Sequence, residues 1–518
     1  HQLITGISGS ARTELLSALS KEGQQPILVV TDTISHMQEL ASDLENLLPA
    51  NRVYQFPVEE VLAAEVATSS PNYRLQRVLA LNALINREPT VVVASAAGLR
   101  RNIISPEYFA QSSLKIKTGG EVDPAKIRQQ LSAMGYQYQK MVLRPGDFAI
   151  RGSIIDIYAL NTDNPVRIDL FDTEVDSLRY FDASTQRSID NVEEVQILPA
   201  TDFIIPATEF SRVYEALDTE YKKVVKELSA DDADIKQQVA NRFEPLLNAL
   251  KNQHLPNELL EFSNLVYPAK HSLFDYLPDD GTIYFDDLTR IKQFAKQMTQ
   301  EDVGWFKDKV AHHQLTDVPD LSNDVSTIIK KDLHPQIYGA LFKKGLGNIK
   351  LSQITDLKSR TMQRFFGQMP LLKAELQRWI DQGQTVVLMA NSPERRKQIA
   401  QTLADFDITA TETELTNIKP NVVQIVAANL NNGFEMPLAG LVVITESEMF
   451  KQVKKVHHRP QKLANAERLK NYTDLKPGDY VVHVNHGIGI FSGIKTMEVD
   501  HVHQDYMIIN YRDNAQIY

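Results

Sequence analysis

Cysteine is absent from all 518 residues. Disulfide staples, zinc ribbons and thiolate nucleophiles are therefore excluded, and a reducing, cytoplasmic location is the expectation. The chain also lacks a signal peptide and any apolar run long enough to span a bilayer, so no membrane partner is expected. Positive charge is in deficit. Lys and Arg number 55 against 66 Asp and Glu, a formal net charge of -11, which argues against wholesale coating of nucleic acid and leaves only local basic stretches for it. Four histidines near the end, His483, His486, His501 and His503, have no cysteine and few acidic residues beside them, so no metal site is expected. What the chain does have is length. A single core does not serve 518 residues, and three or four domains are the prior. It begins at His1 and stops at Tyr518 within strand-like sequence, so it reads as a piece of a longer protein.

The most informative stretch runs from Gly146 to Asp182, GDFAIRGSIIDIYALNTDNPVRIDLFDTEVDSLRYFD. Three runs rich in Ile, Val, Tyr and Phe, separated by Asn/Asp/Pro clusters, predict an antiparallel meander. In Val166–Phe171 the alternation places Val166, Ile168 and Leu170 on one face and Arg167, Asp169 and Phe171 on the other. An aromatic near an arginine on the wet face is a chance exposure, a second packed face or a docking surface, the last because both residue types dominate binding hot spots.

Ahead of this stretch the chain reads as α/β. Ile27–Thr31 and Val91–Ser95 are apolar runs of the buried parallel-strand type, with helical patterns at Ser35–Leu48 and Tyr73–Asn86. Gly6, Gly9, Ala11, Arg12 and Thr13 follow the spacing of a phosphate-binding loop, G-x-x-x-x-G-K-[ST], with two departures. Ala11 puts a Cβ where the second glycine lets amides curl round phosphates, and Arg12 puts a guanidinium where a compact ammonium belongs. The loop reads as degenerate, so no catalytic residue is assigned. Asp286 and Asp287, after the strand Thr282–Phe285, read as a cap for the next helix rather than as metal ligands.

Further on, Pro124–Met134 is helical, and Pro206 to Lys331 is largely helical and charged. A second α/β unit follows, with a helix at Pro370–Asp381, strands at Val386–Ala390, Val422–Ala427 and Gly440–Thr445, and a helix at Ser392–Phe406. It shows no glycine-rich loop and no chemistry. Lys451–Pro460 is a basic run, read as a solvated linker or as a contact to DNA phosphates or an acidic protein face. Leu475–Tyr518 is wholly β, and Gly487, Gly489 and Gly493 mark the sharp bends that a small SH3-like or Tudor-like barrel requires.

Three motifs, Gly6–Thr13, Val91–Gly98 (VVVASAAG) and Arg151–Pro199 (RGSIIDIYAL…VRIDLFDTEVDSLRYFD…ILPA), resemble the nucleotide-excision-repair protein UvrB in the same order. Leu475–Tyr518 (LKPGDYVVHVNHGIGIFSGI) resembles a CarD-type RNA polymerase interaction domain. The combination is similar to the bacterial transcription-repair coupling factors, the Mfd family, across essentially the whole chain.

The resemblance implies an α/β multidomain fold. Its parts are a UvrB-like α/β domain with a degenerate phosphate loop (1–113 and 200–345), a mainly β UvrA-binding insert (114–199) and a small α/β domain (346–447). A basic linker (448–473) and a truncated SH3/Tudor-like barrel that binds RNA polymerase (474–518) complete it. Family members dock on the β subunit of stalled RNA polymerase, displace it with an ATP- and Mg-dependent superfamily 2 translocase, and recruit UvrA. That motor is expected beyond this chain, which is read as a non-catalytic adaptor without a cofactor of its own; DNA contact falls mainly to the motor. The family's UvrA-contacting positions match Arg151, Arg167 and Phe171, and its polymerase-contacting strand matches Lys495, Thr496 and Met497. Unlike UvrB, Gln55–Tyr73 is too short and too poor in aromatics for a DNA-clamping hairpin. The competing readings are an active UvrB-like ATPase that recognises damage, and a CarD-like transcription regulator.

Overall fold

A computed structural model describes residues 1–62, 70–229, 233–343, 345–347, 349–450, 480–483, 487–499, 502–510 and 516–517. The chain forms two compact units, His1–Pro460 and Gln461–Tyr518. The basic run 451–460 lies outside the described residues.

In chain order the first unit opens with β1 (Gln2–Thr5), helix α1 (Ala11–Glu22), β2 (Ile27–Thr31), helix α2 (Ile34–Leu47), β3 (Val53–Phe56) and β4 (Val91–Ser95). An insert follows, with β5 (Leu114–Lys117), β6 (Gln137–Tyr138), β7 (Asp147–Arg151), β8 (Ile154–Ile157), β9 (Val166–Phe171), β10 (Glu174–Phe181), β11 (Ser188–Val192) and β12 (Glu194–Ile197). After a helical stretch come β13 (Thr282–Asp286), β14 (Gln336–Gly339) and β15 (Gln353–Asp356).

The first sheet has the order β15-β1-β14-β13-β2-β4-β3, and each neighbouring pair is parallel. Its inner strands β2 and β4 are near-continuous apolar runs because helices cover both faces, and they are buried at every position. Alternate residues feed separate cores. Leu28, Val30, Val92 and Phe285 belong to one, Ile27, Val29, Val93 and Tyr284 to the other. The edge strand β15 falls within the 346–447 stretch yet pairs with β1 of this first sheet.

The insert is a six-stranded sheet, β11-β10-β9-β8-β7-β6, with β5 and β12 paired antiparallel beside it. Where the sequence predicts three runs, four strands form. Gly152, at φ +62°, turns the chain between β7 and β8 and splits the first run in two. Helix Pro124–Ala133 buries Ile127 and Leu131 against Phe148, Ile155, Ile168 and Leu178, so one sheet face is core, while the other carries a small cluster of Val142, Ala149, Tyr158 and Phe181 and is otherwise open.

The second module holds β16 (Arg360–Thr361), β17 (Thr385–Met389), β18 (Thr411–Thr413), β19 (Val423–Val426), β20 (Phe434–Met436) and β21 (Leu441–Thr445), ordered β16-β20-β21-β17-β19-β18. Helices Met369–Asp381 and Pro393–Ala404 cover one face through Leu376, Trp379 and Ile399. The opposite face carries Val387, Met389, Val426, Phe434 and Val443, and clusters with Ala11 of α1.

The second unit contains β22 (Tyr480–His483), β23 (Gly487–Val499), β24 (Val502–Asn510) and β25 (Gln516–Ile517), an antiparallel sheet in that order. Closing a barrel requires the two edge strands to meet. Among the described residues β22 and β25 pair only with β23 and β24, so no closed SH3/Tudor-like barrel is formed among them. The glycine-rich strand does bend, through a register shift between Phe491 and Gly493. No helix among the described residues is long and apolar enough to cross a membrane.

Candidate protein-docking site

The open face of the insert is built on β7, β8, β9 and β10. Val166, Ile168 and Leu170 point into the core as the alternation requires, which turns Arg167, Asp169 and Phe171 outward. Phe171 stands at the β9–β10 hairpin, opposite Glu174 and next to Asp172 at φ +59°. Its side of the hairpin has no cover, and Phe171 is 78% exposed. An aromatic left that open forgoes the burial that ordinarily places phenylalanine inside.

Further along the same face lies Asp156 of β8, with no solvent exposure. Its register partner on β9 is Arg167, whose Nε and Nη2 donate to the two carboxylate oxygens at 2.7 and 2.8 Å. This fork is the geometry that a planar guanidinium makes with a carboxylate. Arg151, at the end of β7, donates its Nη2 to the same carboxylate. A buried carboxylate needs such pairing, because an unpaired one costs several kcal/mol in desolvation. Two cations and one anion leave a net single positive charge on the face.

The arginines are held differently. Arg167 is largely covered; its guanidinium lies 4.4 Å from the Phe181 ring centroid and donates to Gln186 Oε1 at 3.3 Å. The hydrogen bonds to Asp156 hold Arg167 above its ordinary pKa, although burial opposes this. The Arg151 side chain is 46% exposed and remains open to a partner. Nearby, Asp169 accepts from Arg179 at 2.5 Å and Ser177 at 3.2 Å. The structure thus joins two of the predicted positions, Arg151 and Arg167, through Asp156, with Phe181 and Gln186 beside Arg167, and places the third, Phe171, on the same face four residues further along β9. The sequence carried one signal for Asp156, a carboxylate inside the apolar run Ile154-Ile155-Asp156-Ile157.

The other predicted positions lie apart from this face. Gly6, Gly9, Ala11, Arg12 and Thr13 form the turn from β1 into α1. Arg12 pairs with Asp286 at the end of β13. Of the two residues predicted to cap the following helix, Asp287 does so, accepting from the Arg290 amide at 3.3 Å, whereas Asp286 neutralises Arg12. Lys495, Thr496 and Met497 pair with Tyr506, Asp505 and Gln504 of β24. In that part of β23 no other strand pairs among the described residues, since β22 reaches only Gly487–Ile490. No cluster of His, Asp or Glu among the described residues is arranged to hold a metal ion.

Comparison with known proteins agrees with this layout. Residues 114–203 match the family described as the UvrB interaction domain, 381–449 the MFD, D3 domain, and 475–518 the CarD-like/TRCF RID domain. The transcription-repair-coupling factor of Bacillus subtilis (strain 168) is 37% identical over 524 residues. Its counterparts from Staphylococcus haemolyticus (strain JCSC1435) and Staphylococcus aureus (strain MRSA252) are 31% and 30% identical. Each comparison takes in 100% of this chain and 44% of the relative, so the chain spans less than half the length of these proteins. With three domain families in place and similarity running from end to end, the chain belongs to the transcription-repair-coupling factor family.

Proposed function

We propose that this chain is an adaptor in transcription-coupled DNA repair, with one surface for UvrA and another for RNA polymerase. The UvrA surface is the open face of the insert, where Phe171 supplies an apolar anchor, Arg151 a half-exposed guanidinium, and Arg167 a second guanidinium fixed on the same carboxylate. The observation that carries the reading is this juxtaposition. A 78% exposed phenylalanine shares its strand face with an arginine held, together with a second arginine, on a buried carboxylate, within the stretch that matches the UvrB interaction domain. Aromatic and arginine side chains presented on a rigid sheet lose little entropy on binding, which suits a hot spot.

The polymerase surface is the second unit. The side of β23 at Lys495, Thr496 and Met497 that no strand pairs among the described residues is where a strand of the polymerase β subunit adds, with side chains on alternate positions setting specificity. In this reading the SH3/Tudor-like barrel is the form the second unit takes when closed. The module boundaries are those given by the sequence, with 1–113 and 200–345 framing the insert 114–199 and 346–447 forming the small α/β module. The phosphate loop does no chemistry, and ATP and Mg belong to a translocase motor of the longer relatives, which also makes most DNA contact.

Separate titrations test the two surfaces. Removing residues 461–518, a compact unit of its own, is expected to abolish binding to RNA polymerase while leaving UvrA affinity within about twofold. Polymerase binding retained by the shortened chain, or UvrA binding lost with it, would assign the surfaces otherwise.

A further inference from the structure

The turn from β1 to α1 has phosphate-loop spacing, yet five of its amides are already committed. The amides of Gly6 and Ile7 donate to the carbonyls of Leu341 and Ala340 at 3.1 and 3.5 Å. The Ser8 amide donates to Ser359 Oγ at 2.9 Å, and that hydroxyl donates to Gly6 O at 2.7 Å. Ala11 and Thr13 amides close on Ser8 and Ser10 carbonyls at 3.2 and 3.0 Å. A cradle for phosphate needs amides that converge on open space. These five are turned to acceptors within the chain.

The space itself is filled as well. Gly6 and Gly9 hold φ of +66° and +54°, as such a loop requires. A Cβ built on Gly6 would collide with Asp356 and come within 2.8 Å of the Lys358 amide; one on Gly9 would stand 3.6 Å from Asn432 Cβ and 3.7 Å from Gly433 O. The segment entering the second module and that module's Asn431–Gly433 turn therefore pack directly against the loop's two glycines.

Specific bonds seat that turn. Asp43 of α2 is buried and accepts from Ser10 Oγ at 2.7 Å and from the Asn431 amide and Nδ2 at 2.8 and 3.0 Å. Ser10 Oγ in turn accepts from the Asn432 amide at 3.1 Å. Alongside, the Ala11 methyl is fully buried in a cluster with Val387, Met389, Val426 and Phe434. Of the two residues that depart from the loop pattern, Ala11 is the one that packs on the second sheet, whose own helices cover its other face.

We propose that Gly6–Thr13 is an internal docking site whose occupant is the second α/β module, and that this module and a nucleotide exclude one another there. The loop is kept in the fold because it covers an apolar sheet face. Loss of nucleotide binding follows from occupancy as well as from Ala11 and Arg12. The inference is independent of UvrA docking.

The test uses the 518-residue chain with Mg·ATP as the calorimetric probe. Ala11→Gly with Arg12→Lys restores the full G-x-x-x-x-G-K-T pattern. The expected result is no binding by this double variant. Adding Asp43→Ala and Ser359→Ala is expected to yield measurable binding and to speed hydrogen exchange at the Asn431 and Asn432 amides by about tenfold or more. Nucleotide binding by the double variant with those amides still protected would overturn the proposal. So would a cooperatively folded quadruple variant that binds no better than the double. A further check survives any folding defect in the quadruple variant. Ser8 and Ser359 hydroxyls lie 3.2 Å apart and the chain has no cysteine, so S8C/S359C treated with oxidised glutathione is expected to form one internal disulfide by thiol–disulfide exchange, releasing two reduced glutathione molecules. Failure of that bond to form in the folded chain would sink the seating.

Discussion

Asp156 shows what a single buried carboxylate does for the docking face. It touches no solvent, yet it fixes Arg167 by two bonds and Arg151 by one. Asp156→Asn keeps the volume but loses the charge and one acceptor, leaving two guanidinium groups without their shared partner. Urea unfolding is expected to show a loss of about 2 kcal/mol, the scale of a buried charged hydrogen bond left incomplete. UvrA affinity is expected to fall too, although the residue is out of reach of any partner; unchanged stability would show the carboxylate to be dispensable. Strand alternation made the outward turn of Arg167 and Phe171 legible in the sequence. The facing of Arg151 was not, because Gly152 at φ +62° breaks the strand phase immediately after it. Asp156 was missed because alternation alone assigns it to the same face as Ile154, without saying which neighbours would cover it.

At the scale of elements, α2 joins the two modules of the first unit through Asp43. Burial raises the Asp43 pKa to about 6, against the lowering effect of its bonds from Ser10 and Asn431. A folded pKa above the unfolded value means that this group's contribution to stability is fully present below about pH 4 and is lost as pH rises through about 6. Relative to Asp43→Asn, which has no such titration, the chain is expected to gain about 2 kcal/mol of unfolding free energy between pH 7 and pH 4. Parallel slopes for the two proteins would contradict the assignment. Apolar runs made the strands of both parallel sheets legible. Their mutual contact was hidden because the apolar face of β17, β19 and β21 is covered by α1, which precedes it by several hundred residues and carries only Ala11 into the cluster.

For the whole molecule, a shared interface makes the first unit one cooperative body. Trp305, on helix Leu288–Ala311, and Trp379, in the core of the second module, are the chain's two tryptophans, so each reports one module. Fluorescence of Trp305→Phe and Trp379→Phe is expected to show coincident unfolding transitions; midpoints that separate would mean the modules melt independently. Coupling of this kind gives the insert a firm platform. The central claim, that the insert face recruits UvrA, is tested most directly by titrating UvrA into the chain and into Arg167→Ala and Phe171→Ala, with thermal unfolding as the check on fold. The account predicts weakening by about 2–4 kcal/mol for each variant, the scale of an interface hot spot. UvrA affinity unchanged in both folded variants would contradict it.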